Sequence, residues 1–328
     1  LSSGAYTLDL VRRAATSTSM RGIVATLGSG TAAVSGVPAA NAGQTIRINA
    51  NDLRSNDRVV FMTDGGGQSA YTTTTVNATL ITNDGNTPYL QVVVPVDAIS
   101  GTVRLEREGA GLFLQIVPVV TDVNLDAGNL SVSSSLRIYG SGFQENASSV
   151  NFGNLTVTDR GIYGGIDVSQ YYSGNGYAKL LSLTLPANAP TGPISVTTIG
   201  GTSAPFAMTF TAITGTAGSG TPTDNAVASA NPGQAVTLTG TNFDLTTDVI
   251  FPTIDIYGAV YQRIVRPVAV SNDKTQATVV VPMDALTGAV RVMGDQNNAA
   301  INLQIVPVVT SYDVTCLPSD HSYAGVTV

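Results

Sequence analysis

Asp122, Asn124 and Asp126 alternate along the segment D-V-N-L-D. Carboxylate and amide oxygens at that spacing open a calcium-binding loop. The glycine that would turn the loop and the closing glutamate are both missing, and the related segment at Ser311–Thr315 loses two of the three oxygens. A strand with Val123 and Leu125 facing inward produces the same rhythm and needs no ion. Nucleophilic chemistry has even less to work with. His321 and Cys316 are the only histidine and cysteine in the chain, so neither a nucleophile–base pair nor the four ligands of a structural zinc can be assembled repeatedly. The expectation is a protein that is not an enzyme and holds no cofactor.

Recognition is the remaining chemistry. The stretch Asp159–Lys179 carries Tyr163, Tyr171, Tyr172 and Tyr177, four of the twelve tyrosines, among Gly, Ser and Asn. That is the composition of adaptable contact loops. Tyr257 and Tyr261 stand in a comparable stretch, Asp255–Arg266. Such loops would touch a like chain, a glycan or a protein receptor. A hairpin whose tyrosines cover their own sheet has the same composition.

The elements that would position these residues are strands. Charged residues make up 11% of the 328 and aromatics 6%, with no Trp, and hydrophobic residues reach 43%. Disorder would need low hydrophobicity and high charge. Thr and Val favour strands, and Gly and Pro punctuate them. No long amphipathic helix and no unbroken apolar span is present, so no membrane crossing is expected in this segment. A net charge of −7 without basic clusters argues against nucleic acid as a partner.

The chain repeats itself. L-Q-I-V-P-V-V-T occupies Leu114–Thr121 and again Leu303–Thr310. V-V-V-P-V-D-A-I-S-G-T-V-R at Val92–Arg104 returns as V-V-V-P-M-D-A-L-T-G-A-V-R at Val279–Arg291. A more distant version, L-T-L-P-A-N-A-P-T-G-P-I-S-V, lies between them at Leu183–Val196. The repeat therefore holds two domains of different type. Odd domains are expected at 28–120 and 216–309, and an even domain at 121–215. Residues 1–27 read as the tail of an even domain and 310–328 as the head of another, as in a window on a longer array.

Each domain opens with a turn and an alternating strand, as in Asn231–Pro232–Gly233–Gln234 followed by Ala235–Val236–Thr237–Leu238–Thr239. Short strands with turns every 8–12 residues or so imply a β-sandwich. The order P-x-x-G-x-x-V-T-L-x-G-x-x-F, then V-x-F, then V-P-x-x-A-x-T-G, then V-x-V resembles the IPT/TIG family of immunoglobulin-like domains across nearly the whole chain. The first odd copy departs from it, with Asn49–Leu53 in place of the G-x-x-F turn. The resemblance implies an all-β chain of tandem immunoglobulin-like β-sandwiches, non-catalytic, serving as spacers, stalks or recognition modules.

Two kinds of junction follow. Pro118, Val119 and Val120, with Pro307, Val308 and Val309 in the second copy, leave no room for a linker and should fix the angle from odd to even domain. The Gly/Ser-rich segments at Ala25–Thr31 and Ile213–Pro222 suggest either a more compliant joint from even to odd or an ordered loop lying across the next domain. The combined expectation is an elongated rod on a bacterial cell surface, a stalk, fibre or surface-layer component that packs against like chains. Its alternatives are an adhesin region binding carbohydrate or protein, and an accessory module of a secreted enzyme.

Overall fold

The computed structural model describes residues 18–64, 71–82, 87–126, 128–130, 134–159, 165–173, 176–185 and 190–309. Every regular element among them is a strand. They form three consecutive β-sandwich units.

Unit 1 contains β1 (Met20–Val24), β2 (Thr31–Ala32), β3 (Ala39–Ala40), β4 (Thr45–Ala50), β5 (Arg58–Thr63), β6 (Thr72–Asn77), β7 (Thr79–Ile81), β8 (Tyr89–Val93), β9 (Gly101–Leu105) and β10 (Leu112–Ile116). Unit 2 contains β11 (Val119–Leu125), β12 (Asn129–Leu130), β13 (Ser135–Ser141), β14 (Ser149–Phe152), β15 (Leu155–Thr158), β16 (Ile166–Ser173), β17 (Gly176–Thr184), β18 (Ile194–Thr198) and β19 (Gly201–Thr202). Unit 3 contains β20 (Thr209–Thr214), β21 (Ser229–Ala230), β22 (Ala235–Thr241), β23 (Val249–Ile254), β24 (Val260–Val265), β25 (Ala269–Val270), β26 (Gln276–Val280), β27 (Gly288–Val292) and β28 (Ile301–Ile305).

Units 1 and 3 share one topology. Sheet β1-β4-β8-β7 faces sheet β3-β10-β9-β5-β6, and β20-β22-β26-β25 faces a sheet containing β21-β28-β27-β23-β24 in the matching order. The short β3 and β21 run parallel to β10 and β28, while the other pairings are antiparallel. This is the two-sheet arrangement of an immunoglobulin-like domain. The alternation read from sequence is realised in β22, where Val236 and Leu238 are buried and Thr237 and Thr239 half-buried. Each unit has an apolar cluster, centred on Phe61, on Phe143 with Phe152, and on Phe243 with Phe251. Burying one such side chain is worth about 1.5–3 kcal/mol.

The G-x-x-F corner survives its substitution in unit 1. Asp52 takes φ 55° where Asn242 takes φ 59°, and Leu53 packs on the core at the position of Phe243. The glycine of the motif is explained by close approach. A Cβ on Gly240 would stand 1.9 Å from the carbonyl oxygen of Thr209 on β20.

The borders differ from the expected ones. β1 was assigned with residues 1–27 to the tail of an even domain, but it pairs with β4 as the first strand of unit 1. Likewise β20 falls within the expected even domain 121–215, but it pairs with β22 and opens unit 3. The odd units therefore begin well upstream of residues 28 and 216. The Gly/Ser segments are loops inside them, following the first strand. Residues 1–17 and 310–328, where partial even domains were expected, lie outside the described residues.

Candidate functional site

The chemistry of the chain is concentrated where units meet. At the first junction β10 ends at Ile116 and β11 starts at Val119. Pro118, which has no N–H to continue a ladder, is buried between them, and Val119 and Val120 are half-buried. Beyond this covalent joint, unit 1 lends unit 2 a strand. β2 pairs antiparallel with β19, matching Thr31 with Thr202 and Ala32 with Gly201, and the Ala33 N–H donates to Gly200 O at 3.1 Å. In units 1 and 3 the corresponding edge is filled by the unit's own β3 or β21. The approach is close: a Cβ on Gly200 would lie 2.1 Å from Ile116 O and 2.2 Å from Ser100 Oγ.

The tip of the β5–β6 hairpin makes the polar contacts of this junction. Lys179 on β17 is 1% exposed, and its Nζ lies 3.4 Å from Asp64 Oδ2 and donates to Asp64 O at 3.4 Å. Gln144 Nε2 donates to the Tyr71 hydroxyl at 3.0 Å. Lys179 alternates with Leu181 and Leu183, both buried, so the polypeptide turns a lysine inward and the neighbouring unit supplies its counter-ion.

The repeated octapeptide gains a second role from Gln115. This residue is 0% exposed. Its Nε2 donates to Val34 O and Val37 O at 2.9 and 3.0 Å, and its Oε1 accepts from the Val34 N–H at 2.8 Å. Gln304 makes the same set with Asp224 and Val227. One glutamine per odd unit thus ties down the loop that follows the Gly/Ser segment.

The second junction is tighter still. Unit 2 sends β12 to the outer edge of β24, matching Asn129 with Arg263 and Leu130 with Gln262, and the Ile264 N–H donates to Gly128 O at 2.9 Å. Ile250 and Met293 of unit 3 are each 1% exposed and belong to the core of unit 2, with Ile264 packed beside them. Phe206 packs against the cores of both units. Asp248, 0% exposed, accepts the Leu125 N–H from the neighbouring unit. Arg266 closes the ring, with Nε 3.0 Å from Asp248 Oδ1 and Nη2 donating to Leu125 O at 2.8 Å. Burial pushes the Asp248 carboxyl up to about 6, against the opposing pull of the Leu125 N–H and Arg266. Asp122 is also raised, by burial first and by the nearby Asp244 second.

These contacts decide against the compliant joint and for the ordered loop. The Gly/Ser segments lie within units 1 and 3 and are not the covalent links between units, and side chains of the following turn hold them. Asn231 Oδ1 accepts the Ser219 N–H, its Nδ2 donates to Ser219 O and Val306 O, and Gln234 Nε2 donates to Thr216 O. Asn41 and Gln44 do the same for Ser29, Val117 and Thr26.

The candidate metal and recognition residues do not converge on one place. Asp122 and Asn124 lie on one face of β11 and Asp126 directly follows the strand, while Val123 and Leu125 are buried. Asp122 reaches Thr246 Oγ1 of unit 3 at 3.4 Å, and Asp126 pairs with Arg137 at 2.7 Å. Among the described residues no group of three or more His, Cys, Asp or Glu side chains could hold a metal ion. Tyr163, Cys316 and His321 lie outside the described residues. Tyr171 and Tyr172 sit on β16 and Tyr177 on β17, with Tyr172 opposite Tyr177 in register. Tyr257 is 87% exposed at the tip of the β23–β24 hairpin beside Ile256, 92% exposed. Tyr261 is engaged within unit 3, its hydroxyl donating to Asp284 and accepting from Arg263 Nη2. An open groove of ≈ 550 Å³ runs along β2 and β19, lined by Thr31, Ala33, Ser149, Thr197 and neighbours without a charged or aromatic side chain.

Sequence reading missed Asp248 and both lent strands. Two-residue strands carry no periodicity, and an Asp in T-T-D-V-I-F has nothing to mark it as interfacial. Lys179 did carry a signal, since strict alternation with Leu181 and Leu183 places it on the inner face.

No family model matches the chain, and no curated protein matches it in sequence. Among solved structures it is similar to SGBP-B from a complex xyloglucan utilization locus in Bacteroides uniformis, at 15% identity over 86% of this chain and 95% of that one, with a TM-score of 0.23. A tetra-tandem repeat in the extending region of a large adhesion protein matches at 16% identity over 79% of this chain and 69% of that one, with a TM-score of 0.16. A marsupial T cell receptor matches at 12% identity over 86% and 99%, also with a TM-score of 0.16. Overlaps this loose carry no functional assignment; the chain's own fold is that of consecutive all-β sandwiches.

Proposed function

We propose that this chain is a structural, non-enzymatic segment of an extracellular bacterial surface protein, in which IPT/TIG-like units are joined in tandem as a stalk, fibre or surface-layer component. One observation carries the reading: units 1 and 2 each lend a strand to the unit that follows. β2 extends the sheet of unit 2, and β12 extends the sheet of unit 3. Recognition of a small ligand does not require this. Fixing the angle between neighbours does, because backbone hydrogen bonds across the joint resist both bending and extension. The shared core at Ile250 and Met293 works in the same direction. A composition with one histidine and one cysteine in 328 residues supports the absence of catalysis. Lateral contact with like chains belongs to the same reading.

Electron micrographs of the gene's full product, expressed in its source cell, test this. Extended surface structures with a regular subunit spacing are the expected result. A discrete soluble particle that turns over a substrate would refute it.

A further inference from the structure

The chain contains its own control for what a neighbouring unit does. The octapeptide is identical in its two copies, but its burial is not. Pro118 is buried and Pro307 exposed; Gln115 and Ile116 are buried, whereas Gln304 and Ile305 are half-buried. Val119 and Val120 are half-buried, whereas Val308 and Val309 are 43% and 80% exposed. The surrounding positions follow. Ser100, 5% exposed, is matched by an exposed Thr287, and Ile99, 3% exposed, by a half-buried Leu286. The octapeptide and the topology are shared, and in unit 1 unit 2 lies against this face; the loop over the glutamine differs between the units, with Val34 and Val37 in one and Asp224 and Val227 in the other.

The hairpin tips show what chemistry a neighbour at the unit 3 face would need. The isolated bridges Thr63–Ala98 and Thr253–Ala285 occupy the same place in the two units. They set Ile254 where unit 1 has Asp64. The pairing of Thr63 with Thr72 and of Ile254 with Val260 then sets Val260 where unit 1 has Tyr71. The two groups that meet Lys179 and Gln144 in unit 1 are thus both replaced by aliphatic side chains. Val260 is 68% exposed. A buried lysine facing Ile254 would lose the carboxylate that Asp64 supplies in unit 1, which costs more than the contact returns.

We infer that the end face of unit 3, formed by Ile254, Val260, Thr287, Pro307, Val308 and Val309, docks a β-sandwich of the unit-2 type that follows in the same polypeptide and carries apolar side chains where unit 2 has Lys179 and Gln144. This rests on the tandem-array reading and adds to it a matching rule: polar tips seat polar units, and apolar tips seat apolar ones. Unit 2 itself would be rejected at this position.

Cysteine accessibility tests it. Thr287→Cys is placed on a Cys316→Ser background in the gene's full product and, separately, in the 328-residue chain. Met283→Cys is the exposed control: Met283 is 76% exposed, and Val96, its match in unit 1, stays 47% exposed although unit 2 is docked there. The expected result is maleimide labelling at position 287 that is at least about tenfold slower in the full product than in the 328-residue chain, with position 283 unchanged. Adding Ile254→Asp to the full product should restore fast labelling at 287, while circular dichroism of the same substitution in the 328-residue chain reports folding. Fast labelling at 287 in a full product whose micrographs show a regular array overturns the docking face and leaves the structural reading intact. Loss of the array overturns both. Slow labelling in the 328-residue chain that depends on its concentration assigns the face to a second copy and overturns the proposal. Protection that survives Ile254→Asp overturns the matching rule.

Discussion

Lys179→Met should unseat unit 2 from the tip of unit 1. The ion pair it removes is almost fully buried, with side-chain exposures of 1% and 4% and a separation of 3.4 Å. At that distance and an effective dielectric of about 20, the gross attraction is about 5 kcal/mol. Much of it is cancelled by the desolvation of both charges, so the intact pair adds little net stability. Deleting one partner is different: Asp64 stays buried with its counter-ion gone, at a cost of about 3–5 kcal/mol. The double replacement Asp64→Ile with Lys179→Met copies the aliphatic tip of unit 3 and should recover most of that loss. A double-mutant cycle measures it. The readout is hydrogen-exchange protection of the Ala33 amide, which donates across the junction to Gly200 O. The single variants should lose protection by a factor of a hundred or more, taking about 1.4 kcal/mol per factor of ten. Additive losses in the double variant would refute the argument, since they would mean that the two charges are not each other's partner.

Gln115→Ala should cost about 3 kcal/mol and Gln304→Ala about 1 kcal/mol, because the Gln115 side chain is fully buried and its loss leaves a cavity as well as unmade hydrogen bonds; unfolding of each variant by denaturant compares them. Gly200→Ala puts a methyl 2.1 Å from Ile116 O and should cost about 1–3 kcal/mol at the first junction. Gly22→Ala, where nothing lies within 4 Å of the added methyl, should be neutral or stabilising in the same thermal melt. Asp248 titrates at about 6 in the folded chain against an ordinary 3.8. The folded state therefore holds this proton more tightly than the unfolded state, and its contribution is most favourable below pH 4 or so and declines as the pH rises through 6, by about 3 kcal/mol in all. Protection of the Ile264 amide, corrected for intrinsic exchange, should fall across that window, and Asp248→Asn should flatten the profile.

The repeat, the strand content and the sandwich class were legible because they rest on period-two alternation and on near-identical segments such as Leu114–Thr121. The first strands of units 1 and 3 were not, although β11 of unit 2 was legible from Val123 and Leu125, and the cause is physical. β1, β11 and β20 each carry a register shift near their start, between Met20 and Gly22, Val120 and Asp122, and Phe210 and Ala212. An extra residue there breaks the alternation by which a strand is recognised. Without the strand, the glycines after it read as a linker and the domain border moves downstream. Composition alone does not separate a compliant joint from an ordered loop: Gly and Ser set the flexibility of a free chain, but the Asn and Gln of N-A-G-Q and N-P-G-Q hold these loops by side-chain hydrogen bonds. The tyrosines were read from composition, which does not say which of them point outward. Tyr257 does, whereas Tyr261 is held by Asp284 and Arg263.

The octapeptide separates two demands that act on one sequence. Leu114 and Leu303 are buried in both copies, so they serve the sandwich itself. Pro118 and Pro307 differ in burial although the residue is the same, so a proline there does nothing for the core of its own unit. Its value appears only when another unit is present: it ends the ladder of β10 and lets β11 leave at a fixed direction. The same holds for Val119 and Val120, of which Val120 packs against the core of unit 2, whereas Val309 packs against no described core. Pro307, Val308 and Val309 are exposed where Pro118 is buried and Val119 and Val120 are half-buried, so the shared sequence does more than close the core of its own unit. Fold stability explains the leucine and the glutamine, and joining explains the proline and the valines.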